Sequence, residues 1–335
     1  MTLDLPLIWA ALIAFAVLAY VVMDGFDLGI GLLFPLFERE DERDKLMNSV
    51  APVWDGNETW LVLGGGGLLA AFPLAYSVIL PALYAPLIAM LLGLIFRGVA
   101  FEFRWRTRRW KGVWDYSFAL GSLVAALMQG ITLGGLIQGI AVADRAYAGG
   151  WWDWLTPFSL LTGVALAIGY ALLGATWLIM KTGGAVQDRC YLLARRLGIL
   201  LVVMIGIVSL WTPFLDQRFL TRWFGYPNVL LSAPMPILVL AAAWMLWRGL
   251  SDRRREAQPF LASLALFVLS YIGLGISFWP LMVPPSITIW DAAAPDASLG
   301  FLLVGAVVLL PIILAYTAYA YWIFRGKVER HAGYH

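Results

Sequence analysis

Long uncharged stretches separated by short polar connections constrain this chain more than any local propensity does. The apolar segments reach about 20 residues or more, the length a helix needs to cross a hydrocarbon core of about 30 Å. They lack the strict alternation that a membrane barrel requires. In a bilayer each backbone amide must be satisfied within the protein, and helices do this segment by segment. Composition agrees, with 61% hydrophobic residues, 13% charged residues and a mean hydropathy of +0.81. The sequence therefore predicts an all-α polytopic membrane protein in which residues 1–335 form a single integral membrane domain.

Nine transmembrane helices can be drawn, over residues 7–36, 53–72, 78–101, 116–142, 157–180, 197–214, 234–247, 260–283 and 299–324. The seventh is short. Alternating the sides places nineteen of the 23 Lys and Arg in loops and a tail on one face. These are Arg39, Arg43 and Lys45; Arg104, Arg106, Arg108, Arg109 and Lys111; Lys181, Arg189, Arg195 and Arg196; Arg248, Arg253, Arg254 and Arg255; and Arg325, Lys327 and Arg330. Arg145, Arg218 and Arg222 fall on the other face, and Arg97 lies within a span. Basic loops mark the cytoplasmic side, so the amino terminus is expected outside and the carboxyl terminus inside the cytoplasm. An even number of spans would break the pattern. Met1 to Pro6 carry no basic residue, and the first apolar run exceeds a signal core, so the first span is expected to be retained.

A net charge of +2 with basic residues confined to loops argues against a nucleic-acid partner. Trp105 and Trp110 among the arginines read as interfacial anchors. The single cysteine, Cys190, excludes an internal disulfide, and no Cys/His pattern suggests zinc or iron–sulfur. The outer connections 143–156, 215–233 and 284–298 are too short to hold a soluble domain. Chemistry must therefore sit in the membrane or in a partner.

Residues 23–97 place carboxylates and an arginine in glycine-rich apolar sequence, where an ionised side chain costs on the order of 3 kcal/mol or more unless paired, hydrated or used. Asp24 and Asp27, three apart, share a face of the first helix, and Gly25, Gly29 and Gly31 keep that region slim. Asp55 and Glu58 repeat the spacing at the start of the second helix. Their structural alternative is helix-start chemistry; that of Asp24 and Asp27 is a polar knot bonded to backbone or Arg97. Together the four could form proton acceptors stepping inward from the cytoplasmic surface, work that suits carboxylates in a low dielectric. Arg97, always charged, demands an anion or water; a structural pair with a carboxylate is the first expectation and field tuning near a proton route the second. Gly64 to Gly67, Gly130/Gly134 and Gly135/Gly139 read as helix contacts.

The only histidines, His331 and His335, stand in a polar tail where they cannot ligate a buried haem. The methionines read as core filler. The chain alone is expected to bind no haem, so a redox role would be borrowed from a partner.

The motifs Met23-Asp24-Gly25-Phe26-Asp27-Leu28-Gly29, Asn48-Ser49-Val50-Ala51-Pro52-Val53-Trp54-Asp55-Gly56-Asn57, Phe96-Arg97-Gly98-Val99-Ala100-Phe101-Glu102-Phe103-Arg104, Pro284-Pro285-Ser286 with Trp290-Asp291, and Pro311 to Tyr321-Trp322 together carry a resemblance. Across essentially its whole length the chain resembles subunit II of the cytochrome bd-type terminal quinol oxidases, with membership of the cyanide-insensitive branch left open. The resemblance implies a heterodimer in the bacterial inner membrane, in which a homologous subunit I carries the haems and the quinol site. It implies nine helices, as two four-helix bundles (about 7–142 and 157–283) plus a ninth helix (299–324).

The family's proton-uptake acid matches Asp55. Glu58, Asp24 and Asp27 extend that role by spacing, and Arg97 matches a family arginine taken as structural. Some members hold a structural quinone, and some have a small third subunit; no motif here marks either, and bound lipid is the other expected non-protein component. The implied activity is quinol oxidation by oxygen, with proton release outside and uptake from the cytoplasm, both substrates reacting on the partner. Two other readings stay open on the residues: a purely structural scaffold for the haem subunit, and a proton-coupled secondary transporter, for which Trp54-Asp55 and Trp290-Asp291 give a faint internal echo.

Overall fold

A computed structural model of the chain describes residues 3–107 and 109–328. Met1, Arg108, Arg330, His331 and His335 lie outside the described residues.

Helix α1 (Leu5–Leu33) opens at Asp4, whose carboxylate accepts from the Leu7 amide, and a 3-10 turn continues it to Leu36. Short polar α2 (Glu40–Asn48) begins with Glu40, Asp41 and Glu42 and ends near Lys45, charges that match the helix dipole. Then follow α3 (Trp54–Ala71), α4 (Pro73–Ala82), α5 (Tyr84–Arg106) and α6 (Lys111–Gln138). A hairpin, β1 (Val142–Ala143) with β2 (Ala146–Tyr147), leads to α7 (Pro157–Lys181), which starts in a Thr156/Ser159 capping box. The chain continues through α8 (Ala185–Trp211), the short helices α9 (Gln217–Phe224) and α10 (Val229–Ser232), α11 (Pro234–Ser251) and α12 (Gln258–Phe278). A second hairpin, β3 (Leu281–Val283) with β4 (Ile287–Thr288), and α13 (Ile289–Ala292) precede the last helix, α14 (Asp296–Ile323).

Among the described residues, eight helices are long and apolar enough to cross a membrane: α1, α5, α6, α7, α8, α11, α12 and α14. The segment drawn as the second span is helical where expected, as α3. Its 18 residues rise about 27 Å, yet Asp55, Asn57, Glu58 and Thr59 deny it the apolarity of the others. The third span starts at Tyr84 rather than residue 78. Phe72, ahead of Pro73, leaves the helical region, and Leu83 ends α4, so the polypeptide turns twice before α5 begins; Pro86 sits harmlessly in the first turn of α5. The seventh span is longer than drawn, running past Trp247 to Ser251.

Glycines set the spacing between helices. A Cβ on Gly29 would stand 1.8 Å from the Tyr170 carbonyl oxygen, so α1 and α7 touch backbone to backbone, with Gly174 opposite. Gly93 and Gly121 do the same for α5 and α6, and Gly130 and Gly134 for α6 against α7. Three expected helix contacts are corrected. Gly65 and Gly66 face open space, Gly64 and Gly67 alone of that run meeting α1, and Gly139 ends α6 at φ 97°.

The basic loops gather at one end of the molecule and are tied together there. Lys111 bonds Glu40, Arg43 reaches Asp115 at 2.9 Å, Arg253 bonds Asp188, Lys327 bonds Glu256 at 2.8 Å and Lys181 donates to the Phe324 carbonyl at 2.5 Å. Buried Arg104 holds Asp44 and Asp115, each at 2.6 Å. At the opposite end, Trp9 donates to Leu299 O at 3.0 Å and Trp290 to Asp4 at 3.1 Å. Arg218 and Arg222 there donate to Ile137 O and Ile276 O, close to the C-terminal ends of α6 and α12, where cations complement the dipole.

Candidate functional site

Three helices converge on one guanidinium. Arg97 of α5 is fully buried. Its Nη1 lies 2.5 Å from Asp24 Oδ1 and 3.3 Å from Glu58 Oε1, and its Nη2 lies 3.8 Å from Asp27 Oδ2. Asp24 and Asp27 reach it from successive turns of α1, as their three-residue spacing allows, while Glu58 comes from the first turns of α3. Trp54 and Phe101, stacked with centroids 4.7 Å apart, both lie under the guanidinium at 5.9 Å, where ring quadrupoles favour a cation.

Two polar strings run from this cluster. In one, Asn57 Nδ2 donates to Asp27 Oδ2 at 2.8 Å, and the Tyr321 hydroxyl of α14 donates to Asn57 Oδ1, also at 2.8 Å. In the other, the Tyr20 hydroxyl, on α1 one turn before Asp24, accepts from Gln129 Nε2 at 2.7 Å, and the Tyr170 hydroxyl donates to Gln129 Oε1 at 2.7 Å. Asp24 Oδ2, Asp27 Oδ1, Glu58 Oε1 and Arg97 Nε and Nη2 are buried with no hydrogen-bond partner within the chain. Buried polar atoms ordinarily have one, which sets these five atoms apart from most of the interior.

Asp55 stands apart. It is exposed and lines a cavity of about 480 Å³ between α3, α5 and α14, together with Trp54, Asn57, Glu102, Tyr316 and Tyr321. It caps nothing: the residue preceding α3 is Val53, with no side-chain capping bond. The cavity opens near the basic end, and its wall includes Asn57, the residue that bonds Asp27. The structure thus gathers Asp24, Asp27, Glu58 and Arg97 into one cluster and leaves Asp55 at its approach. The sequence echo Trp290-Asp291 has a local explanation, because Asp291 accepts from the Thr288 amide and hydroxyl in a capping box that holds its carboxyl below the usual range.

Several participants were not singled out from sequence. Asn57 and Glu102 stood inside quoted motifs without an assigned role. Gln129, an amide at mid-span in an apolar helix, carried a usable signal; Tyr321 stood in a quoted motif without a role, and Tyr20 and Tyr170 carried no signal, since tyrosine is common in such spans. Arg104, read as a loop charge, is as buried as Arg97.

A family model described as cytochrome bd terminal oxidase subunit II matches residues 5–324. The chain belongs to that family. Within it, the chain is 30% identical to cytochrome bd-I ubiquinol oxidase subunit 2 of Escherichia coli (strain K12), over 97% of this chain and 96% of that protein. It is 28% identical to cytochrome bd ubiquinol oxidase subunit 2 of Bacillus subtilis (strain 168), over 96% of each. The solved bd oxidase from Geobacillus thermodenitrificans contains a chain of the same fold, with a TM-score of 0.76 at 18% identity, covering 96% of this chain and 99% of that one. The Arg97 cluster is therefore a feature of a multi-pass subunit II of a cytochrome bd oxidase.

Proposed function

We propose that this chain is the haem-free subunit II of a bd-type quinol:oxygen oxidoreductase, bound to a haem-bearing subunit I, and that it carries part of the route by which cytoplasmic protons reach the oxygen-reducing centre. The observation that carries this reading is the cavity between α3, α5 and α14. Asp55 and Glu102 stand at it, and Asn57 and Tyr321 in its wall fix Asp27 beside Arg97.

In this reading Asp55 and Glu102 collect protons at the inner surface, and Glu58, one helical turn above Asp55 and partly exposed, takes them into the cluster. Asp27 receives them at the inner end. Asp24 neutralises Arg97, whose positive charge makes excess carboxylates tolerable at this depth. Quinol and oxygen react on the partner, so charge separation arises from outer release and inner uptake without a pumping step. The cavity lining contains no His, Cys or Met, a donor set that does not fit haem iron, in keeping with haem held by subunit I.

We place the amino terminus outside and the carboxyl terminus in the cytoplasm, with the tied basic loops on the inner face. α3 is then the ninth span, its polar face turned to the cluster. Two four-helix bundles plus α14 is the arrangement this implies. Family membership favours the oxidase over a secondary transporter. A pure scaffold predicts that neutralising Asp55 changes assembly or nothing, but not turnover.

The test is gentle purification from native membrane, followed by the reduced-minus-oxidised haem spectrum and quinol-driven oxygen uptake. A co-purifying haem subunit with quinol oxidase activity supports the reading; a haem-free chain without that partner sinks it.

A further inference from the structure

The carboxylates around Arg97 are not equivalent. Asp24 has the short contact, 2.5 Å to Nη1, and Tyr20 stands one helical turn before it on α1. The Tyr20 hydroxyl accepts from the Gln129 amide, and Gln129 in turn accepts from Tyr170. A hydroxyl has one hydrogen. With its oxygen engaged by Gln129, Tyr20 keeps that hydrogen uncommitted one helical turn from Asp24, whose Oδ2 has no hydrogen bond within the chain.

Asp27 and Glu58 are held differently. Asp27 lies 3.8 Å from the guanidinium, and its hydrogen bond comes from the uncharged Asn57 amide. Glu58 lies 3.3 Å away, with a side chain 26% exposed. Asp24 Oδ2, Asp27 Oδ1 and Glu58 Oε1 are all buried without a hydrogen bond within the chain, so the three acids differ in their distance to the guanidinium and in exposure rather than in this respect. Three ionised carboxylates around one guanidinium would leave two uncompensated negative charges, at least one of them fully buried, which a low dielectric disfavours.

We infer that the cluster divides its labour: Asp24 is the standing counter-ion of Arg97, positioned by Tyr20, Gln129 and Tyr170, while Asp27 and Glu58 are the pair between which the proton moves. The inference rests on the proton-uptake reading above and assigns its steps. In the transfer a Glu58 O–H bond breaks and an Asp27 O–H bond forms, while Arg97 keeps its charge and Asp24 stays its anion. No electron moves. The proton enters by the cavity and leaves towards subunit I.

The experiment is redox-difference infrared spectroscopy of the whole oxidase, observing the protonated-carboxyl band, with oxygen uptake and haem content measured on each preparation. Glu58→Gln is expected to remove a component of the band, Asp27→Glu to shift one, and Asp24→Glu to leave the band unmoved. Tyr20→Phe keeps the ring but removes the donor; it is expected to add a component that disappears when Asp24→Asn is combined with it. A change that a merely structural role for Tyr20 produced would not be assignable to Asp24. A band that shifts in Asp24→Glu and is unmoved in both Asp27→Glu and Glu58→Gln overturns the division, as does a Tyr20→Phe spectrum identical to that of the unaltered protein. If oxygen uptake falls in Glu58→Gln while those spectral results contradict the assignment, the inference alone fails. Full uptake in both Asp55→Asn and Glu58→Gln at normal haem content defeats the uptake route, and the inference with it.

Discussion

The Tyr321 hydroxyl, two residues before the end of the last helix, donates a 2.8 Å hydrogen bond to Asn57 Oδ1 at the start of α3, 264 residues away in sequence. Asn57 spends its own amide on Asp27 and, at 3.3 Å, on the Met23 carbonyl. One bond therefore ties α14 to the buried acid of α1 through α3.

Tyr321→Phe removes that donor and keeps the ring. The loss is expected to be about 1 kcal/mol of stability, the usual net worth of such a bond. Oxygen uptake should fall by a small factor while haem content stays normal. Thermal unfolding in detergent and a quinol oxidase assay on one preparation check both.

Asp55→Asn keeps shape at the cavity mouth and removes the exchangeable proton. Quinol-driven oxygen uptake should fall by about tenfold or more, within the range that positioned acids and bases contribute, with haem spectra near normal. Complete loss of haem would instead mark Asp55 as an assembly residue.

Arg97→Leu strands the carboxylates around it. Breaking a buried ion pair costs roughly 3–5 kcal/mol, so this variant should yield little assembled complex. Arg97→Lys keeps one positive charge but loses the planar fork that meets Asp24, Glu58 and Asp27 on two nitrogens; its yield should lie between that of Arg97→Leu and that of the unaltered protein. Haem-to-protein ratio after purification reads the series.

Gly29→Ala places a methyl 1.8 Å from a backbone oxygen of α7, which cannot move aside without parting the helices. It should cost about 1–3 kcal/mol or more, the range of overpacked cores. Gly65→Ala adds a methyl in open space and should be neutral or stabilising by up to about 1 kcal/mol. Melting temperatures of the two variants test the contrast.

Lys111 bonds Glu40 and holds its carboxyl below the usual glutamate range. The folded form thus binds this proton less readily than the unfolded chain does. The stabilisation from the tie is complete above the ordinary glutamate value and is lost as pH falls through the lowered folded value. Amide exchange in α2 (Glu40–Asn48) should accelerate on acidification across that window, and Glu40→Gln should remove the pH dependence.

The sequence by itself determined the fold class, because apolar runs of span length leave the backbone one way to satisfy its amides, and it placed the basic loops together because their spacing follows the spans. Family membership was also legible, since the motifs around Asp24, Asp55 and Arg97 extend over contiguous residues. Helix ends at Phe72 and Leu83 were not, because a proline shifts a boundary by an amount that only packing sets. Tertiary structure alone decided the geometry of the site: that Glu58, not Asp55, faces Arg97; that Asp24 holds the short contact and Asp27 the long one; that Gln129 joins Tyr20 to Tyr170; and that Tyr321 reaches Asn57. Spacing along a helix says which residues share a face, but not which neighbouring helix that face meets or at what distance, and for charges in a low dielectric that distance sets the role.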